Sequence, residues 1–487
     1  MRKILLAAAL AASASAVMAQ SNSTIRIGLQ DDIGTLDPAR SSQVVDRIVF
    51  SSLCNSLLDI SPDLKIVPML ATSWSMSTDS KTLTFKLRQG VKFHDDEPFN
   101  AAAVKANLDR SRSMPASNRK SELASIDHVD VVDDYTVAIV LKAPDAALLA
   151  TLTDDGGVST HPVCSGPYKF VERVQNDRVV LQKFAGYWDA DKYPIQKVIF
   201  QPIPDSTVRL ANLRSGSLDM LERLAPSDVT SVKSDKNLNF ISMSGLGFYD
   251  LTFNVSNGPR APKAFKDKRV RQAFVLAIDR DAINQVIGGG IFAPISQAIP
   301  TNSPYFDASI KTTKRDIPKA KALLKAAGFE QLSVELTFGN NTVSNQMAQM
   351  LQAMLSEAGI NLKLRPTDYA AALNASTKGD FELLYLGWSG RTDPDGNLHQ
   401  FVTCRGNLNY GRYCNPDVDK LLDDARVKPT VAERKPIYDA AQKILADEDP
   451  IIYLYAQPWP YALSKKVQGF TPYPDGLIRL RGVSIKG

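Results

Sequence analysis

Two helical patterns in the second half of the chain each end at a glycine and are followed at once by a short apolar run. They cover residues 318–327, ending at Gly328, and residues 344–358, ending at Gly359. Strand-like runs follow at residues 332–338, 361–366 and 381–386. Glycine commonly ends a helix because it accepts the left-handed backbone conformation. Strands separated by helices favour parallel pairing, so the sequence predicts an α/β protein with at least partly parallel sheets.

Similar alternation runs through the rest of the chain. Strand-like period-two runs occur at residues 24–29, 82–87 and 135–141, and helical patterns at 100–110, 269–287 and 431–447. Asn100 is predicted to cap its helix. With 487 residues the chain has room for about two to four domains. A segment rich in Asn, Gly and Pro at residues 254–264 predicts a crossover between two lobes, and a second crossing is expected near residues 456–461.

The long apolar stretch of the chain lies at its N-terminus. Arg2 and Lys3 precede an apolar run at residues 4–12, and small residues end the segment at Ala19. This pattern is typical of a secretion signal, and the run is shorter than the ~20 residues of a membrane-spanning helix. We expect cleavage of residues 1–19, which leaves 487 − 19 = 468 residues beginning at Gln20 and changes the formal charge from +5 to +3. The expected compartment is the periplasm.

Composition and charge exclude some classes of protein. Hydrophobic residues make up 44% of the chain, which is too many for a disordered protein. The basic residues are scattered rather than grouped in runs, which disfavours a nucleic-acid-binding protein.

Four cysteines lie in the part expected to be exported: Cys54, Cys164, Cys404 and Cys414. An even number in an oxidising compartment favours disulfides. Cys404 and Cys414 flank a loop of nine residues, rich in turn-forming types, whose ends a disulfide would hold together. A zinc site is the competing interpretation, but the spacing lacks closely paired ligands and only His399 is near. Cys54 and Cys164 are expected either to pair or to remain as buried thiols.

Sequence patterns for catalysis are mostly absent. The four histidines form no HExxH or other metal-pair spacing, and the segment from Gly387 to Gly390 lacks the second spaced glycine of G-x-S-x-G. The acidic segment at residues 393–397 lacks the glycine and glutamate of a calcium loop. Three consecutive glycines at 288–290 predict a turn rather than a phosphate-binding loop. The chain is therefore not predicted to be an enzyme, and no cofactor is expected.

One loop carries groups suited to ligand binding. An apolar strand leads to Trp388, and the polar loop that follows contains Arg391 and Asp393. Ligands of open α/β sheets bind at loops beyond the carboxyl ends of strands. Trp offers a flat apolar surface, and Arg can pair with a carboxylate or phosphate. The alternative is a capped strand with a core Trp and solvated charges.

Several motifs, in this order along the chain, resemble those of the family 5 solute-binding proteins of bacterial ABC importers. The longest is LRQGVKFHDDEPFNAAAV at residues 87–104. The others are GTLDP at 34–38, MLATSW at 69–74, CSGPY at 164–168, DKRVRQA at 267–273 with AIDR at 277–280, AKALLKAAG at 320–328, the segment 380–388, and the cysteine loop 404–414, which is similar to the family's disulfide loop.

The resemblance implies two α/β lobes that close on a ligand, joined by a hinge, with an extra subdomain in the first lobe. Residues 20–256 would form lobe I, with the extra subdomain at about 45–165. Residues 257–457 would form lobe II, and 458–487 would return to lobe I. The ligand-binding residues expected from the matching loops are Leu36, Asp37, Trp388, Ser389, Gly390, Arg391 and Asp393. The chain lacks an ATP-binding P-loop, so the expected partners are a permease and separate ATPase subunits, with the protein itself a monomer.

The sequence departs from the family pattern at three places. Asp96 and Cys164 each replace a glycine, and the segment between Leu149 and His161 is shorter than usual. Peptide-binding members commonly have Asp where this chain has Arg391, and that Asp bonds the peptide's ammonium group. We therefore expect a peptide or similar polar solute with an anionic group or no free amine at this end, such as an opine-like conjugate. The alternatives are a secreted hydrolase that uses Ser389 or an acidic pair, and a metal-chelate binder, which the scarcity of His disfavours.

Overall fold

A computed structural model describes residues 23–153 and 162–486. The expected signal peptide at residues 1–19 and most of the shortened segment, residues 154–161, lie outside the described residues. Among the described residues, no helix has both the length and the apolar character needed to cross a membrane.

The strands occur throughout the described chain. In chain order they are β1 (Thr24–Leu29), β2 (Leu58–Ile60), β3 (Ile66–Pro68), β4 (Ala71–Met76), β5 (Thr82–Leu87), β6 (Ile126–Asp133), β7 (Thr136–Leu141), β8 (Tyr168–Val174), β9 (Arg178–Lys183), β10 (Lys197–Pro202), β11 (Met220–Leu221), β12 (Leu238–Phe253), β13 (Ala293–Pro294), β14 (Leu332–Gly339), β15 (Ile360–Thr367), β16 (Leu383–Trp388), β17 (Ile451–Ser464), β18 (Val467–Gln468) and β19 (Ser484–Ile485).

The α-helices lie between these strands. They are α1 (Val44–Leu53), α2 (Ala101–Ser113), α3 (Leu148–Thr151), α4 (Ser206–Ser215), α5 (Val229–Ser234), α6 (Lys268–Ala277), α7 (Arg280–Val286), α8 (Ile317–Ala326), α9 (Thr342–Ser356), α10 (Tyr369–Lys378), α11 (Asp395–Val402), α12 (Pro416–Arg426) and α13 (Val431–Glu448).

The main sheet has the strand order β15-β14-β16-β12-β17-β11-β1-β10-β9-β8, with β13 on β17. In lobe II, β14 pairs in parallel with β15 and β16. In lobe I, β1 pairs in parallel with β10 and β11. The predicted mixed α/β fold with partly parallel sheets is therefore confirmed. Separate hydrophobic cores cover the two halves of the sheet.

Strands β12 and β17 run through both lobes as an antiparallel pair. Their ladder is interrupted between Ser244 and Phe248, opposite Pro458 and Ala456. The irregularity lies earlier in the chain than the crossover expected at residues 254–264. Residues 254–256 instead bond to lobe II, where the Val255 amide donates to Gly411 O. The position of the hinge stays a prediction. The structure favours the region where the pairing of β12 and β17 is interrupted.

The extra subdomain has a four-stranded sheet in the order β4-β5-β7-β6, covered by α2. Its own core contains residues from Leu57 to Leu152. Helix α1 and Cys164 belong to the lobe I core instead. The apolar face of α1 thus packs on the main sheet, and the bounds of the extra subdomain, expected at about 45–165, stay a prediction.

Helix ends agree with the capping residues in the sequence. Asn100 caps α2 by accepting from the Ala103 amide at 3.0 Å. The single helix expected at residues 269–287 is wrong: the structure has α6 and α7 with a break at Ile278. Asp279 produces the break because its side chain accepts from the Ala282 amide at 2.9 Å and starts a new helix.

Both cysteine pairs form disulfides. The predicted Cys404–Cys414 bridge is present, with Cα atoms 4.4 Å apart. The open question about Cys54 and Cys164 is answered by a second bridge. Cys164, which stands where the family pattern has glycine, therefore forms a disulfide with Cys54. The other departure, Asp96, adopts a positive φ of 71°, a conformation that glycine accepts more readily.

Candidate functional site

A cavity of about 490 Å³ lies between the two lobes. Lobe I contributes the loop before α1 and the segment after α2. Lobe II contributes β12, β16, α10, α11 and the loop that follows α11. Charged lining residues come from both sides: Arg40, Asp46, Arg119 and Glu122 from lobe I, and Asp250 from lobe II.

The loop before α1 is held by Asp46, in the first turn of that helix. The Asp46 carboxylate accepts from the Gly34 amide at 2.7 Å and from Ser41 Oγ at 3.0 Å. Its side chain is buried, and burial raises the pKa of this carboxyl to about 6 despite the two hydrogen bonds. Asp46 therefore holds the loop in place and also presents a buried carboxyl at the cavity.

The segment after α2 rests on this loop. Asn118 Nδ2 donates to Arg40 O at 2.7 Å, and Arg119 Nη2 donates to Ser41 O at 2.7 Å. Arg119 also pairs with Glu122 at 2.8 Å. The lobe I wall is thus a polar surface fixed by hydrogen bonds between two chain segments.

The lobe II wall is mainly apolar and aromatic. Alternate residues of β16 face the cavity, where Leu384, Leu386 and Trp388 line it, and Phe401 and Tyr410 complete this surface. Asp250 lies among them on β12, opposite Leu386. Its carboxylate accepts from Thr252 Oγ1 at 2.7 Å, and burial raises its pKa to about 7.

Asn397 on α11 fixes the loop after Trp388. Its Oδ1 accepts from Trp388 Nε1 at 2.9 Å and from the Arg391 amide at 2.8 Å, and its Nδ2 donates to Arg391 O at 3.1 Å. Gly390 has a φ of +85°, and a Cβ there would lie 2.1 Å from the backbone of Leu246. The loop therefore packs directly on the irregular part of β12.

The structure brings only some predicted ligand-binding residues to the cavity. Trp388 lines it. Arg391 lies beside it, with its guanidinium over the Trp388 ring at 4.4 Å and 3.7 Å from Glu122 of lobe I. Ser389 Oγ accepts from Arg47 Nη1 at 3.2 Å, which is another contact between the lobes.

The remaining predicted residues lie away from the cavity lining. Asp393 forms two 2.7 Å bonds with Arg434, which raises the pKa of that guanidinium. Asp37 binds Arg110 through both carboxylate oxygens, at 3.1 and 2.6 Å. Leu36 is part of the lobe I core. Whether any of the predicted residues contacts a ligand stays a prediction.

Sequence reasoning missed Asp46, Arg119, Glu122 and Asp250. Asp250 had a local signal, because it is a charged residue among the mainly apolar residues 248–253. The lobe I residues had none, since they meet the cavity only through contacts between segments far apart in the chain. Among the described residues, no cluster of His, Cys, Asp and Glu is arranged to hold a metal ion.

Two α/β lobes with a cavity between them form the architecture of proteins that bind a small ligand between two lobes. The chain belongs to the bacterial extracellular solute-binding proteins, family 5, whose model for the middle region matches residues 65–409.

Individual relatives align over almost the whole chain. The glutathione-binding protein GsiB of Pectobacterium atrosepticum is 32% identical over 507 residues, covering 98% of this chain and 97% of the relative. The dipeptide-binding protein of Escherichia coli K12 is 28% identical, covering 87% and 86%. Among solved structures, AgaA of A. tumefaciens R10 in complex with agropinic acid is 28% identical with a TM-score of 0.87, covering 95% of this chain and 99% of AgaA.

Proposed function

We propose that this chain captures a small polar solute, a peptide or a peptide-like conjugate, in the cavity between its lobes and delivers it to a membrane permease driven by ATPase subunits. The observation that carries the proposal is the cavity itself, which has charged groups from both lobes. A volume of about 490 Å³ falls within the range of small-molecule sites. We further propose that the protein acts in the periplasm as a monomer after removal of residues 1–19.

The relatives support this range of solutes. Their names associate them with glutathione, which is a tripeptide, with dipeptides, and with agropinic acid. These solutes are compact and polar, and a cavity lined by both acidic and basic residues suits such chemistry.

Contacts across the cavity edge support closure of the lobes around the solute. Gln400 Nε2 donates to Glu122 Oε1 at 3.2 Å, and the Ala146 amide donates to Arg426 O at 2.9 Å. With the Arg47–Ser389 bond, these contacts join lobe I to lobe II around the cavity. Such contacts form only when the lobes are together, so they stabilise a closed state.

Trp388 is the predicted residue that we propose contacts the solute. We propose that Ser389, Gly390, Arg391 and Asp393 position its loop. Leu36 and Asp37 would do the same for the loop before α1. The expectation that Arg391 selects an anionic or N-blocked solute stays a prediction, because its guanidinium lies beside the cavity and faces Glu122.

In the described part of the chain, the surroundings of Ser389 give the hydrolase alternative no support. Its Oγ is bonded to Arg47, whereas His94, His128 and His399 bond elsewhere. A serine nucleophile needs an adjacent base. We therefore propose binding without turnover.

Native mass spectrometry of protein purified without denaturation tests this proposal. We expect a small molecule to remain bound and to be released unchanged. Trp388→Leu should retain less of it, whereas Trp188→Leu is a matched control because that indole lies outside the cavity beneath Arg88. No bound mass, together with no thermal shift across di- and tripeptides and opines, would contradict the proposal, as would turnover of the released solute.

A further inference from the structure

Asp250 is a nearly fully buried carboxylate in the cavity wall, with a relative exposure of 6%. It lies on the central strand β12 between β16 and β17, so the backbone fixes its position. Within residues 23–153 and 162–486, its carboxylate accepts one side-chain hydrogen bond, from Thr252 on the same strand. No Lys, Arg or His among the described residues bonds to it.

Several other buried carboxylates of the described chain are paired with arginine. Examples are Asp37 with Arg110, Asp395 with Arg426, and Asp475 with Arg479. An uncompensated carboxylate in apolar surroundings is costly, so it either holds a proton or awaits a cation. Unlike these arginine-paired acids, Asp250 lines the cavity; Asp46, the other buried acid of the lining, is held by the Gly34 amide and Ser41 Oγ of its own loop.

We propose that the lobe II wall is a subsite for an ammonium or guanidinium group of the solute, and that Asp250 selects for that positive charge. The inference rests on the proposed function. Leu384 and Leu386 would pack against the aliphatic part of the group, while Trp388 and Tyr410 offer aromatic faces to its charge. The arginines on the opposite wall, Arg40 and Arg119, suit an anionic group at the other end of the same solute.

The charged state of Asp250 is set by few neighbours. The titratable groups whose pKa values respond to it are Tyr385 on β16, Tyr453 on β17 and Tyr410 in the cysteine loop. Burial raises the pKa of each of these hydroxyls, so they stay neutral near pH 7. Entry of a cation would therefore ionise Asp250 and release its proton, whereas entry of a neutral group would not.

Titration calorimetry with matched probes tests the subsite. The probes are di- and tripeptides containing arginine or lysine, compared with the same peptides containing citrulline or Nε-acetyl-lysine. N-acetylated forms of each distinguish a side-chain cation from a free amino terminus. We expect the cationic member of a pair to bind about tenfold or more tightly. In two buffers of different ionisation enthalpy at pH 6.5, that member alone should release protons.

Asp250→Asn should remove the preference for the cation, so that within this variant the cationic and neutral members of each pair bind with similar affinity. Asp424→Asn, on α12 outside the cavity, is the matched control and should keep the preference. Equal affinity for cationic and neutral partners, or a preference that survives in Asp250→Asn, would overturn this inference and leave the proposed function standing. Failure to bind any probe, with no solute in the native mass spectrum, would overturn both. The proton measurement on the wild-type protein tests the idea even if the variant does not fold.

Discussion

Asp250 has a consequence for stability as well as for binding. Its pKa of about 7 in the folded protein lies above the ordinary value of 3.8. Between these two values the folded state holds a proton that the unfolded chain has lost. The stability that this group contributes is therefore fully present below pH 4 and is lost as pH rises through 7. Above that pH the folded protein bears the cost of a buried charge.

We predict that Asp250→Asn gains stability relative to the wild type as pH rises from 4 to 8, by up to about 4 kcal/mol. Urea unfolding at both pH values measures the change. Asp46 and Asp449 also have raised pKa values, but they are present in both proteins and cancel in the comparison. The control Asp424→Asn removes an exposed ion pair with Lys420. Its free energy of unfolding relative to the wild type should change by less than about 1 kcal/mol over the same pH range. If the difference in unfolding free energy between the wild type and Asp250→Asn does not vary with pH, the raised pKa assigned to Asp250 is contradicted.

The sequence showed the Trp388 loop but not how its charges are used. Arg391 and Asp393 are close in the chain, yet they bond to residues far away, Glu122 and Arg434. Asp37 is likewise occupied by Arg110. A sequence displays which side chains are present in a loop, whereas their partners depend on tertiary packing. For the same reason Asp250 could be noticed as an unusual strand residue but could not be placed at a cavity.

At the scale of elements, local signals predicted helices at the positions of α2, α8, α9 and α13, and of α6 and α7 as a single helix. The other seven described α-helices were not predicted. Glycines at 328 and 359 follow α8 and α9 closely, and the capping residue Asn100 is confirmed. The long strands β12 and β17 were not predicted at full length. Each crosses from one lobe to the other, and an irregular ladder interrupts it. Strand pairing at long sequence separation leaves no local pattern, so it could not be derived from periodicity.

The contact between Gly390 and the irregular part of β12 yields a prediction. Gly390→Ala combines a positive φ with a Cβ only 2.1 Å from Leu246, so we expect a loss of roughly 2–5 kcal/mol and weaker solute binding as the Trp388 loop shifts. Gly90→Ala is the matched control, because Gly90 has a similar φ of +74° but open space around it. Its loss should be limited to roughly 1–2 kcal/mol, with binding unchanged. Chemical denaturation and calorimetry measure both effects. Equal losses in the two variants would show that the close contact does not matter.

At the scale of the whole molecule, the alternation of helices and strands predicted the fold class. The two-lobe arrangement came from the family resemblance and from the turn-rich segment at residues 254–264, since periodicity alone does not say how many lobes a chain forms. The main sheet joins both lobes through β12 and β17. The contacts Arg47–Ser389 and Glu122–Gln400 cross the cavity edge and involve side chains that would separate if the lobes rotated apart.

Small-angle scattering tests most directly whether the cavity between the lobes is a site that closes on its solute. The measurement compares protein freed of solute with the same protein saturated with the molecule recovered from native mass spectrometry. We predict that the radius of gyration falls on saturation, because the lobes rotate together about the irregular region of β12 and β17. An unchanged radius of gyration at demonstrated saturation would contradict closure of the lobes on a bound solute.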